Sequence, residues 1–266
     1  MSRHHWCIAL AAAVLVFACG EEPPPPTPPP APAKPAAKAP APPAPPAAET
    51  GAPAKPRVWP YLSQEYKVAI ADNLLARNIV LIFDGSGSMK DVNCSGGLSK
   101  NEAAKKAVLE WSSTVPADAN LGLVAFHAGS RGLTVQELAA GSRERFMQTV
   151  QRIQPGGKTP LTLSIKKALL MLEKQAQKQL GYGDYTIVVV TDGIANDPQA
   201  LMFWVNQVLE FTPINIFTIG FCISGNHSLN QPGRTDYRAA DNPEQLRKGL
   251  QESLAESETF DATTFE

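Results

Sequence analysis

The sequence predicts an α/β fold: a doubly wound, mostly parallel central sheet with helices on both faces and one antiparallel edge strand. Three observations lead there. Near-continuous apolar runs at 79–83, 185–190 and 214–221 read as strands covered on both faces, as parallel strands are. Amphipathic helical patterns alternate with these runs, which implies right-handed crossovers. A short alternating stretch, 133–138, comes soon after a strand at 121–126 through a Gly-containing loop and reads as the antiparallel edge.

Before the fold begins, residues 1–18 have the form of a secretory signal peptide. A short polar start with Arg3 precedes about eleven apolar residues, fewer than a bilayer span needs. The stretch ends Ala18-Cys19-Gly20, which resembles the bacterial lipobox and implies that Cys19 is acylated and becomes the mature terminus. Residues 19–60 then read as a tether, for 17 of the 24 prolines lie between positions 23 and 60, interleaved with alanine. Such chain has little to bury and takes an extended polyproline-like form. At roughly 3.1 Å per residue, forty residues reach on the order of 120 Å. The expected location is the bacterial cell envelope, lipid-anchored, at the periplasmic face or on the outer membrane or cell surface.

The expected domain covers 61–258, with a tail over 259–266. Five basic and three acidic residues precede position 61, so 19 and 22 remain of the totals of 24 and 25. A near-neutral domain gives no electrostatic support to a nucleic-acid partner. The chain has four cysteines. Cys7 leaves with the signal and Cys19 is acylated, so Cys94 and Cys222 remain, and an oxidising compartment favours a disulfide between them. Whether Trp59 and Tyr61 dock on the domain is left open.

Within the domain, Ser99 and Glu102 have capping-box spacing. Ala103, Ala104, Ala107, Val108 and Trp111 form one face of the helix that follows, which ends near Pro116. A helix is expected over 142–153, broken by Pro155-Gly156-Gly157. Thr159 is expected to cap the next helix, with Pro160 as its first residue. Asp197-Pro198 and Asn242-Pro243 open two more helices by the same device. Met202, Phe203 and Trp204 read as core packing, and the loop 224–234 as part of the rim beside the sheet end.

The chemistry concentrates in three loops. Asp84, Ser86 and Ser88 follow the first buried run, Thr159 starts a helix, and Asp192 follows the second buried run. Two carboxylates and three hydroxyls, with water completing six oxygens, suit magnesium or manganese. DGSGSM, GGKTPL and TDG, in this order, resemble the von Willebrand factor A family, whose metal-ion-dependent adhesion site has the pattern D-x-S-x-S, Thr, Asp. The resemblance covers 76–255. It implies a metal site formed by Asp84, Ser86, Ser88, Thr159 and Asp192, and a protein partner that offers a carboxylate to the metal.

Two other readings were weighed. Gly157-Lys158-Thr159 has the end of a P-loop, but position 152 is Arg where that loop needs Gly, and Pro160 removes a backbone donor. No nucleotide is therefore expected. A metal-dependent hydrolase using Asp84 lacks a base: His127 ends a strand and His227 sits in a polar loop. The expectation is a binding protein and not an enzyme. A metal site that organises an envelope complex without touching a partner is the alternative.

Overall fold

A computed structural model describes residues 59–60, 68–223, 225 and 227–255. The signal peptide, Cys19, most of the tether, Tyr61 and the tail lie outside these residues. The strands are β1 (Arg77–Gly85), β2 (Asn120–His127), β3 (Thr134–Ala139), β4 (Asp184–Thr191), β5 (Asn215–Phe221) and β6 (Asp236–Ala240). The helices are α1 (Lys100–Thr114), α2 (Arg143–Gln151), α3 (Leu161–Lys178), α4 (Pro198–Phe211) and α5 (Pro243–Ala255). One sheet orders the strands β3-β2-β1-β4-β5-β6, and β3 alone is antiparallel to its neighbour.

Side chains alternate across this sheet with period two. Ile79, Leu81 and Phe83 of β1 join Trp111 of α1, Phe146 of α2 and Leu250 of α5 on one face. Val80 and Ile82 join Ile165 and Leu172 of α3 and Leu201 and Val205 of α4 on the other. Double coverage is why the β1 run carries no polar residue between Ile79 and Phe83. Trp59 packs edge-on against Tyr185, with ring centroids 6.0 Å apart.

Several helix starts follow their sequence signals. Ser99 Oγ accepts the Glu102 amide at 3.1 Å, Asp197 accepts that of Ala200 at 2.9 Å, and Asn242 accepts that of Gln245 at 2.9 Å. The Glu102 side chain completes no capping box; it pairs with Lys105 instead.

Two expectations are corrected. Thr159 does not cap α3: Pro160 occupies the cap position, without a side-chain bond to the helix, and Leu161 is the first helical residue. Thr159 sits one residue too early because its backbone is committed to a neighbouring loop. Met202 and Phe203 are 48% and 56% exposed, not core, since Leu201, Val205 and Val208 already supply the buried stripe of α4. Trp204 is half-buried, with Lys166 Nζ 4.4 Å from its ring centroid. In the loop before β6, Arg234 turns away from the sheet end to Asn206 and Glu210 of α4.

Candidate metal centre

Strand order sets the position of the site. The chain goes from β1 outward to β2 and β3, then returns to β4 on the other side of β1. The carboxyl ends of β1 and β4 therefore flank a topological switch point, where open α/β sheets form a crevice. Asp84 is the buried next-to-last residue of β1, and Asp192 follows β4 directly.

Backbone contacts then draw the third loop in. Gly156 N donates to Gly85 O at 2.8 Å, and Gly87 N donates to Gly157 O at 3.1 Å. A side chain at Gly85 would meet Phe126 O at 2.7 Å and the His127 Cβ at 2.8 Å, so only glycine lets β1 turn here against β2. The Gly156-Gly157 loop thus lies on the Asp84–Ser88 loop and carries Thr159 with it. Asn196 holds Thr159 from the other side: its Oδ1 accepts the Thr159 amide and its amide donates to the Thr159 carbonyl, both at 3.1 Å.

Side-chain bonds link four of the five predicted residues. Asp84 Oδ1 accepts the Ser86 amide at 2.8 Å, and Oδ2 accepts the Thr191 hydroxyl at 2.6 Å. The hydroxyl oxygens of Ser86 and Ser88 are 3.1 Å apart, and Ser88 donates to Asp192 Oδ1 at 2.7 Å. Thr159 joins them by proximity, for a methyl placed on Gly193 would lie 3.7 Å from Thr159 Oγ1 and 3.8 Å from Ser88 Oγ. Asp84, Ser86 and Asp192 are buried, Thr159 is half-buried and Ser88 is exposed. The two carboxylates and Ser86 lie below, and the Ser88 and Thr159 hydroxyls lie outermost.

Burial raises the Asp84 carboxyl from 3.8 to about 6, against hydrogen bonds from Ser86 and Thr191 that favour its ionised form. Asp192 has a partner absent from the sequence reading. Lys100 Nζ donates to Asp192 Oδ2 at 2.9 Å, and the two side chains are 6% and 0% exposed. Lys105, also buried, bonds the carbonyls of Gln151 and Ile153 at and just past the end of α2. His227 borders the same turn: its Nε2 donates to Gly193 O at 2.9 Å, and its Nδ1 accepts the Leu229 amide at 3.1 Å. Burial lowers its pKa, which keeps the ring neutral.

The donor set fits a hard divalent cation. Among the described residues no three His, Cys, Asp or Glu side chains form a metal cage, so hydroxyls have to supply most ligands. Thr159 Oγ1 has no hydrogen-bond partner among those residues, and the Ser86 and Ser88 oxygens converge. A surface depression between Glu110 and the start of α5 contains none of the five. Cys94 and Cys222 are joined in a disulfide, with Cα atoms 6.1 Å apart. The bond ties the loop before α1 to the end of β5.

Comparison with known proteins agrees with this arrangement of strands and loops. Residues 79–194 match the von Willebrand factor type A domain. The type A match begins in β1 and ends just past Asp192, so it takes in all three loops. The uncharacterized protein YwmD of Bacillus subtilis is 29% identical over 189 residues, covering 64% of this chain and 82% of YwmD. The chain's fold is similar to part of the pilus adhesin SpaC of Lactobacillus rhamnosus GG, with a TM-score of 0.55, 13% identity and 71% of this chain covered. This chain spans 31% of the length of SpaC. Manganese-loaded TRAP protein of Plasmodium vivax superposes with a TM-score of 0.51 and 18% identity, over 68% of this chain and 74% of that one. At such identities the likeness is one of fold.

Proposed function

We propose that this protein is a lipid-anchored, extracytoplasmic binding protein whose type A domain engages a partner protein through a magnesium or manganese site. The observation that carries the reading is the convergence of Asp84, Ser86, Ser88, Thr159 and Asp192 at the switch point. Ser86, Ser88 and Thr159 would hold the ion as neutral ligands, with Asp84 and Asp192 supplying charge directly or through water. A bound divalent ion supplies an electrophilic centre that accepts one further oxygen, such as a partner's carboxylate. Manganese in the TRAP relative supports a divalent cation in this fold.

The residues themselves prepare that step. Thr191 and the Ser86 amide orient the Asp84 carboxylate, and Ser88, outermost and exposed, stands where a partner side chain would arrive. The lipobox-like Cys19 and the proline-rich tether would hold the domain away from the membrane.

Calorimetric titration of the purified protein with Mn²⁺ tests the site, with Asp84→Ala in parallel. Saturable binding that the substitution abolishes is expected. Unimpaired binding by Asp84→Ala would overturn the assignment. Capture of an envelope partner that EDTA reverses is the matching test of the adhesive role.

A further inference from the structure

Lys100 breaks two local rules at once. It is the first residue of α1, where the helix dipole disfavours a cation, and its side chain is 6% exposed. Nothing in helix formation asks for a lysine there; Ser99 already caps the helix. Burying an ammonium carries a large desolvation cost, and its compensation is one bond to Asp192 Oδ2. A feature that opposes local preference and is held by a site residue points to the site.

We propose that Lys100 determines ligand charge at the metal centre. This rests on the metal-site reading above. Asp84 and Asp192 ionised carry two negative charges, and a divalent ion alone would neutralise them. With the Lys100 ammonium on Asp192, the loaded site instead keeps one net positive charge, buried where solvent screens it weakly. Lys90 and Lys158, on the flanking loops, are exposed and screened. Lys100 therefore has opposite effects on the two partners of the site. It weakens the hold on the metal, because it competes for Asp192, and it favours an anionic oxygen ligand over a neutral one. A carboxylate side chain has that chemistry; an amide or hydroxyl does not.

The opposite signs make the inference testable. In the purified protein, Lys100→Gln and Lys100→Met are expected to tighten Mn²⁺ binding on the order of tenfold, within the usual range of coupling between sites. Lys100→Arg should leave it unchanged. Acetate added to the Mn²⁺-loaded protein, against chloride at equal ionic strength, should raise the melting temperature of the wild type and of Lys100→Arg more than that of Lys100→Gln. A merely structural lysine would give the reverse for metal, since a damaged site binds more weakly. Unchanged or weaker Mn²⁺ binding by both neutral variants that remain folded overturns the role of Lys100 and leaves the metal site standing. Absence of Mn²⁺ binding in the wild type overturns both.

Discussion

Asp84 sets stability against function at the scale of one residue. Its carboxyl is raised to about 6 chiefly by burial, so between roughly pH 4 and 6 the folded chain holds a proton that the unfolded chain has released. This stabilising contribution is full below the unfolded value and is lost as pH rises through about 6. A cation needs the ionised form, so metal-dependent stabilisation should appear over the interval in which the proton leaves. Asp84→Asn keeps an acceptor for the Ser86 amide and turns its NH2 to the Thr191 hydroxyl, which can accept, without the charge. In EDTA at pH 7 it should melt at a higher temperature than the wild type, and Mn²⁺ should no longer raise the melting point of this variant. The gap between the two proteins in EDTA should close as pH falls to 4. His227 works in the other direction, because its lowered pKa costs stability as pH drops below 6.5. It is common to both proteins and cancels in the difference. A metal-free Asp84→Asn that melts well below the wild type at pH 7 would show that burial does not dominate at this carboxylate.

The elements show which parts of this architecture local patterns can announce. Apolar runs, Asp-Pro and Asn-Pro helix starts and the Gly-rich breaks are local signals, and they place β1, β2, β4, β5 and the helices within a few residues. The strand β6 was not visible because an edge strand of five residues, with Ala240 its one buried residue, carries no apolar run. Lys100, Lys105 and Asn196 were not visible for another reason: each acts through a loop or helix end far away in sequence. Asn196 and Asp197 are adjacent and separate these two kinds of information. Asp197→Ala removes a local cap and should cost about 1 kcal/mol in denaturant unfolding without changing Mn²⁺ affinity. Asn196→Ala removes one of the two bonds that hold the Thr159 backbone and should weaken Mn²⁺ binding while altering stability less. Gly85→Ala should affect both, costing about 1–3 kcal/mol, because the new methyl would press on the β2 backbone and on Ile153. Equal Mn²⁺ affinities for Asn196→Ala and Asp197→Ala would remove the clamp role from Asn196.

At the scale of the whole molecule, one covalent bond crosses from the loop before α1 to the far half of the sheet. Cys94 and Cys222 lie 128 residues apart in sequence, and the loop they close includes β2, β3, β4 and β5. Closing so long a loop restricts the unfolded chain, and its loss typically costs about 2–5 kcal/mol. The sheet does not depend on it for register, because the β1–β4 and β4–β5 ladders are complete without it. The site depends on it little, for the Asp84, Ser88 and Asp192 bonds are made on the β1 and β4 sides of the crevice. Replacing both cysteines by serine should therefore shift the denaturant midpoint strongly and Mn²⁺ affinity by less than about tenfold, a coupling near 1 kcal/mol. Reduction of the wild type with a thiol should reproduce the shift and leave the serine variant unmoved. A collapse of Mn²⁺ binding in the folded serine variant would mean that the bond shapes the metal loop and does more than stabilise the chain that carries it.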